Sequence, residues 1–295
     1  MFSDTHFHFQ TMILKGDVDG VSVLEKMAAN NCKFGLDIGT KADDLFERQN
    51  CLKNEIKKIN DDNLSKKICD FLYFSAGIWP DFDSIHSRFE KMQILEKNIE
   101  DFNKNNFLNK KIIAIGEGGI DHHWNPSGVD ERCEDDFDKK TFFGEKELFE
   151  MQLDLAKKMN LPFICHSRDG FSDTVECIKN SKYERGIIHC FSYGLEEAKV
   201  FLDLGWFISL SGSVTYAKKS KITEMENLIR YIPDDRLLCE TDSPYLSPVP
   251  LRGKTNSPIN IEHTYNFIAQ KKGISVEELC ELVDKNIENL FFKSF

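Results

Sequence analysis

The 295 residues are enough for one large α/β barrel or two ordinary domains, and either can bury a sizeable core. Hydrophobic residues make up 41% and charged ones 29%, as in soluble globular chains, and no run is apolar for long enough to span a membrane. The net charge of −11 argues against broad electrostatic attraction to nucleic acid, although bound divalent cations would reverse the sign locally.

A first strand is expected over residues 2–9, reading Phe2-Ser3-Asp4-Thr5-His6-Phe7-His8-Phe9. The side-chain period of two puts Asp4, His6 and His8 on one face and Thr5, Phe7 and Phe9 on the other. Two imidazoles on one strand face are either a ready pair of metal ligands or two surface histidines. The polar residues also interrupt any apolar leader and no basic stretch precedes them, so a cytoplasmic protein is expected.

Further strands are expected over 33–38, 71–78, 112–117, 162–166, 186–190, 206–210 and 237–241. Amphipathic helical stretches fall over 20–30, 41–59, 83–103, 144–159, 171–180, 195–204 and 219–231, with 260–272 and 275–292 after the last strand. Alternation of strand and helix calls for parallel strands, and eight such units predict a closed (β/α)8 TIM-like barrel. No Pro-, Gly- or Ser-rich linker divides the chain and no repeat is evident, so residues 1–295 are expected to form one domain. A long acidic loop, 122–144, follows the fourth strand. It is either a solvated insert or a lid over substrate.

The nine cysteines are scattered without CxxC pairs, which argues against a disulfide framework and a zinc finger. Cys165, Cys190 and Cys239 lie in apolar runs and read as small core residues. His86 and His263 fall in helical stretches and read as surface or packing residues, and His122 and His123 as loop residues on the mouth side.

Ionisable residues recur at strand ends. Glu117 closes the fourth strand, His166 the fifth and His189 the sixth, and Asp242 follows the eighth. With His6 and His8, five strands each deliver a metal-ligand type of residue to the end that a barrel gathers into a common mouth. Singly, each has a bland explanation as a core histidine or a cap. Together, four histidines and two carboxylates would suffer severe desolvation and like-charge costs without a cation. Such a set suits Zn, Mn or Fe, and mixed sites also take Mg. Six donors exceed one tetrahedral site, and two metals sharing a carboxylate would use them.

The chain resembles the TatD family of metal-dependent hydrolases. The matching segments are Asp4-Thr5-His6-Phe7-His8, Gly116-Glu117-Gly118-Gly119-Ile120-Asp121, Leu161 to Asp169, His189-Cys190-Phe191-Ser192, Glu240 to Leu246 and Pro250 to Lys254. They follow the family's order over nearly the whole chain. The resemblance implies an amidohydrolase-like TIM barrel and a deoxyribonuclease (DNase), in some members a 3′→5′ exonuclease. It implies two divalent metal ions (Mg, Mn or Zn). His6, His8 and Asp242 would hold one, with His166 and His189 holding a second and Glu117 bridging. Asp242 and Glu117 would be catalytic, Asp242 by orienting or deprotonating the attacking water. Arg168, Arg252 and Lys254 are expected at phosphate, and DNA, as single strands or 3′ ends, is the expected partner. No membrane or protein partner is expected. The family's usual Asn-Glu-Pro is Asn256-Ser257-Pro258 here, the acidic insert is longer than expected, and the stretch around 50–70 is long and charged.

Two rivals share these residues. A two-metal hydrolase of an amide, ester or lactone would use the same ligands, but it would not need Arg168, Arg252 and Lys254 together. A non-catalytic binding protein on the same barrel would be expected to have lost ligands, and all six are present.

Overall fold

The computed structural model describes residues 2–15, 18–123, 138–216 and 219–293. The chain runs β1 (Asp4–Phe7), α1 (Phe9–Leu14), α2 (Gly20–Ala29), β2 (Gly35–Asp37), α3 (Leu45–Ile56), α4 (Asp62–Phe71) and β3 (Leu72–Ala76). It continues through α5 (Phe82–His86), α6 (Arg88–Lys104), β4 (Ala114–Asp121), α7 (Lys139–Met159), β5 (Phe163–Arg168), α8 (Phe171–Ser181), β6 (Gly186–Ile188) and α9 (Leu195–Asp203). It ends with β7 (Phe207–Leu210), α10 (Ile222–Tyr231), β8 (Leu237–Cys239), α11 (Ile261–Lys272) and α12 (Val276–Ile287).

Among the described residues, eight parallel strands pair in sequence order from β1 to β8. The barrel closes just beyond β8, where Asp242 N–H donates to His6 O at 2.9 Å and His8 N–H to Ser243 O at 2.8 Å. The strands are buried on both faces, as a barrel wrapped in helices requires. Their apolar runs (Leu36, Phe74, Ile115, Ile164, Ile208 and Leu238 among them) form one continuous core with the inner faces of the helices. Among the described residues, no helix is long and apolar enough to cross a membrane.

All eight expected strands are present. Three local features differ from the sequence reading. The first strand stops at Phe7, because the backbone turns at His8 and the Phe9 N–H donates to Asp37 Oδ2 at 3.0 Å, which starts α1. The charged stretch before β3 contains α4, capped by Asp61, which accepts from Asn63 N and Leu64 N; it buries only Ile68 and Phe71. The fourth strand runs four residues further than expected, to Asp121. Most of the acidic insert, residues 124–137, lies outside the described residues.

Candidate metal centre

The strand ends bring all six expected donors together. Glu117 sits where β4 bulges against β5, since Gly116 pairs with Ile164 and Gly118 already with Cys165. A bulge re-aims a side chain, and here the Glu117 N–H leaves the ladder to donate to Gly39 O at 2.8 Å. The flanking glycines are required. Gly116 and Gly119 have φ of +127° and +145°, and a Cβ at either would run into the backbone of Ile164 or His166. Asp242 follows β8 in the left-handed region (φ 52°), which aspartate tolerates better than most residues.

The two oxygens of Glu117 face different histidine pairs. Oε2 lies 3.1 Å from His6 Nε2 and 3.5 Å from His8 Nε2. Oε1 lies 3.2 Å from His166 Nδ1 and 3.4 Å from His189 Nε2. Asp242 Oδ1 is 3.6 Å from both His6 Nε2 and His8 Nε2. Within each pair the ring nitrogens nearly touch, at 3.3 Å for His6–His8 and 3.1 Å for His166–His189. Side-chain exposure is greatest at His166 (15%) and Asp242 (13%) and least at His6 (1%), so the cluster opens to solvent along the first two.

Such a donor set fits divalent cations. Glu117 Oε2 and His6 Nδ1 are buried with no hydrogen-bond partner, although His6 Nε2 stands 3.1 Å from that oxygen. Lone pairs converge there without the protons that would satisfy them all. Among the described residues, the donor atoms of His6, Glu117 and His189 lie within 4.8 Å of one another, as do those of His6, His8 and Asp242.

With protons as the only cations, the electrostatics follow from burial and pairing. Burial raises the Glu117 carboxyl, but the charge of His189 and the close approach of the His166, His189 and His6 imidazoles outweigh it and hold it well below the usual value. Asp242 is lowered against its burial by the close approach of His8 and the charges of His6 and His189. Burial, reinforced by the charge of His189, lowers His6. Burial would also lower His166 and His189. Asp121 and Glu117 instead raise His166, and Glu117 with Glu240 raises His189 well above the ordinary imidazole value.

Other expected residues divide. Arg168 reaches the cluster's edge, donating from Nε to Asp121 Oδ1 at 3.1 Å. Arg252 and Lys254 lie exposed on the segment after β8, and the Arg252 guanidinium stacks 4.5 Å from the Tyr216 ring centroid. Among the described residues neither bonds to the six donors. His122 pairs with Glu145 and His123 with Asp169, at 3.1 and 2.8 Å. Among the described residues no hydrogen bond or ion pair joins Asp4 to the donors' side chains, although it accepts from the His6 N–H at 3.2 Å. It ties β1 to the end of β8 through Thr241 N and Oγ1, and burial pushes its carboxyl up to about 8. Ser257, where the family's glutamate was expected, is buried, and its hydroxyl has no partner. Cys165 and Cys239 are core residues as expected, whereas Cys190 is only partly buried, its Sγ 3.4 Å from Ser211 Oγ.

The sequence reading passed over four residues. Asp121 and Glu240 stand behind His166 and His189. The period of two along Glu117-Gly118-Gly119-Ile120-Asp121 was the signal for the first. Trp79 and Tyr245 flank the cluster, their ring centroids 5.9 Å from His166 and 6.1 Å from His8.

A family model described as TatD related DNase matches residues 3–292. The chain is 31% identical over 293 residues to YabD of Bacillus subtilis (strain 168), an uncharacterized metal-dependent hydrolase, with 99% of each chain covered. It is equally 31% identical over 293 residues to YcfH of Escherichia coli (strain K12), described in the same words, covering 98% of this chain and 94% of that one. Among solved structures, the TatD homologue YjjV from Escherichia coli K12 superposes with a TM-score of 0.77 at 26% identity, covering 99% and 98% of the two chains. A mutant lactonase from Deinococcus radiodurans superposes at 0.63 with 13% identity over 98% and 95%, a likeness of fold alone.

Proposed function

The chain belongs to the TatD related DNase family and is a metal-dependent hydrolase, and from that premise we propose that it hydrolyses phosphodiester bonds in DNA, acting on single strands or 3′ ends. The supporting observation is the division of Glu117 between two histidine pairs, 3.1–3.5 Å from all four imidazoles. In this reading His6, His8 and Asp242 would hold one divalent cation, His166 and His189 would hold a second, and the Glu117 carboxylate would be shared between them. Divalent cations held there would supply an activated water near neutral pH and charge neutralisation at the phosphoryl group.

The remaining work falls to the chain's own side chains. Asp242, partly open to solvent at the mouth of the cluster, accepts a proton from the attacking water. Arg168, one-third exposed and steadied by Asp121, contacts a phosphate oxygen. Arg252 and Lys254 contact phosphates further along the strand. Trp79 and Tyr245, the latter 47% exposed, stack against bases on either side of the scissile bond. Local contacts of this kind allow a chain of net charge −11 to bind a polyanion.

The test is chelation, re-addition of Mg, Mn or Zn singly, and assay on single-stranded DNA labelled at the 3′ or the 5′ end. The expected result is loss and metal-specific recovery of cleavage. For 3′→5′ action, labelled mononucleotide is released early from the 3′-labelled strand, and the 5′-labelled strand shortens progressively. Inactivity with every ion overturns the proposal.

A further inference from the structure

Behind His166, on the side away from Glu117, stands a carboxylate that is not one of the six donors. Asp121 is fully buried at the end of β4. Its Oδ2 lies 2.9 Å from His166 Nε2 and 2.9 Å from Arg168 Nη2, and its Oδ1 accepts from Arg168 Nε at 3.1 Å and from His123 N–H at 2.9 Å. Its own backbone is fixed as well, because its N–H donates to the buried Glu145 carboxylate on α7 at 2.8 Å. A carboxylate in that position accepts a hydrogen bond from the Nε2–H of a neutral imidazole and leaves the lone pair on Nδ1, which faces Glu117 Oε1 and His189 Nε2.

We propose that Asp121 is a positioning residue that locks His166 in the Nε2-protonated tautomer and anchors Arg168 with the same carboxylate, so that one group sets both a metal ligand and a phosphate contact. The proposal rests on the reading of His166 as a ligand. The neighbouring histidine is held more loosely. His189 Nδ1 is 3.5 Å from Glu240 Oε1, and that oxygen already accepts the Cys190 N–H at 2.6 Å. His166 is therefore the ligand whose orientation depends most on a single outer carboxylate, and Asp121 reaches it because the bulged, glycine-bearing β4 continues past Glu117.

The experiment titrates zinc by calorimetry into chelator-stripped full-length protein, as wild type, Asp121→Asn and His166→Ala. Asp121→Asn is expected to weaken one zinc equivalent by about 10–100-fold and leave the other unchanged. His166→Ala is expected to weaken the same equivalent more. Long-range 1H–15N spectra of zinc-loaded wild type test the tautomer in the unsubstituted protein, with the His166→Ala spectrum used to assign the His166 ring. They are expected to show the proton on Nε2. A proton on Nδ1, or unchanged zinc affinities in Asp121→Asn beside a wild type that binds two equivalents, overturns this inference alone. A wild type that binds no zinc or other divalent ion overturns the metal reading and this inference with it.

Discussion

His6 and His189 stack face to face, their ring centroids 4.0 Å apart and their planes within 7°, although one comes from β1 and the other from the end of β6. Two imidazolium ions would repel strongly at that separation, so at most one ring is comfortably charged. The burden falls on His6, which burial and the charge of His189 lower, while His189 is raised by Glu117 and Glu240 against its own burial. A cation held as proposed would require neutral imidazoles, so it would displace protons from His166 and His189. Both pKa values lie above the ordinary 6.5, so competition by protons extends through neutral pH. Metal affinity is expected to rise as pH rises from 6 to 8, with proton release on binding. Calorimetry in two buffers of different ionisation enthalpy measures both. An affinity that is flat over that range contradicts the assignment.

Removing the shared carboxylate separates the two halves of the cluster. Glu117→Gln keeps the shape and loses the charge that both histidine pairs face. Cleavage is expected to fall by more than about 100-fold, beyond the range of changes behind the ligands, and bound metal to fall below two equivalents. Asp242→Asn is expected to lower kcat by about 100–10,000-fold through loss of the proton acceptor. Metal content by elemental analysis accompanies both assays. Two tightly bound equivalents in Glu117→Gln would remove the bridge from the scheme.

How far these residues were legible depended on where each strand ends. His6, His8, Glu117, His166, His189 and Asp242 each close or follow an apolar run, and the barrel rule alone gathers such ends. Asp121 was hidden because the fourth strand was expected to end at Glu117, whereas the structure bulges it between Gly116 and Gly118 and lets it run on to Asp121. The helix α1 was hidden because Phe9 continues the alternation of β1, and only the hydrogen bond to Asp37, 28 residues away, ends the strand. Trp79 and Tyr245 carry no sequence signal, since an aromatic residue beside a ligand is visible only in three dimensions.

Arg168 discriminates between phosphate and carbonyl substrates. A hydrogen bond to a charged group contributes about 1.5–3 kcal/mol, so Arg168→Ala is expected to lower kcat/KM on a phosphodiester by about 10–150-fold. A carboxylic ester, with no anionic oxygen to grip, should be hydrolysed as by wild type, if at all. A loss confined to the ester would favour a carbonyl hydrolase.

Trp79 and Tyr245 are tested by substrate length. Base stacking contributes about 1–3 kcal/mol per base, so alanine at either position is expected to raise KM for an oligonucleotide by about 5–150-fold. A small chromogenic phosphodiester without bases should be cleaved at the wild-type rate. Equal losses on both substrates would mean that the rings pack against His166 and His8 rather than against a base.

Arg48 supports the His8 side of the cluster from beneath. It is buried, pairs with Asp37 Oδ1, donates from Nε to Asp44 Oδ1 at 3.0 Å, and binds Ser75 O from Nη2 at 2.8 Å. Burial raises Asp37, and Arg48 offsets part of that rise. Arg48→Met would leave the buried Asp37 and Asp44 carboxylates without their cation, and a loss of about 3–5 kcal/mol is expected from the urea midpoint at unchanged slope. Asp37 also holds the Phe9 N–H, one residue after His8, so metal held by His6, His8 and Asp242 should weaken in step. Adding Asp37→Asn to Arg48→Met removes one stranded charge and should recover part of the stability. A double variant no more stable than the single one would place the cost in packing rather than in charge.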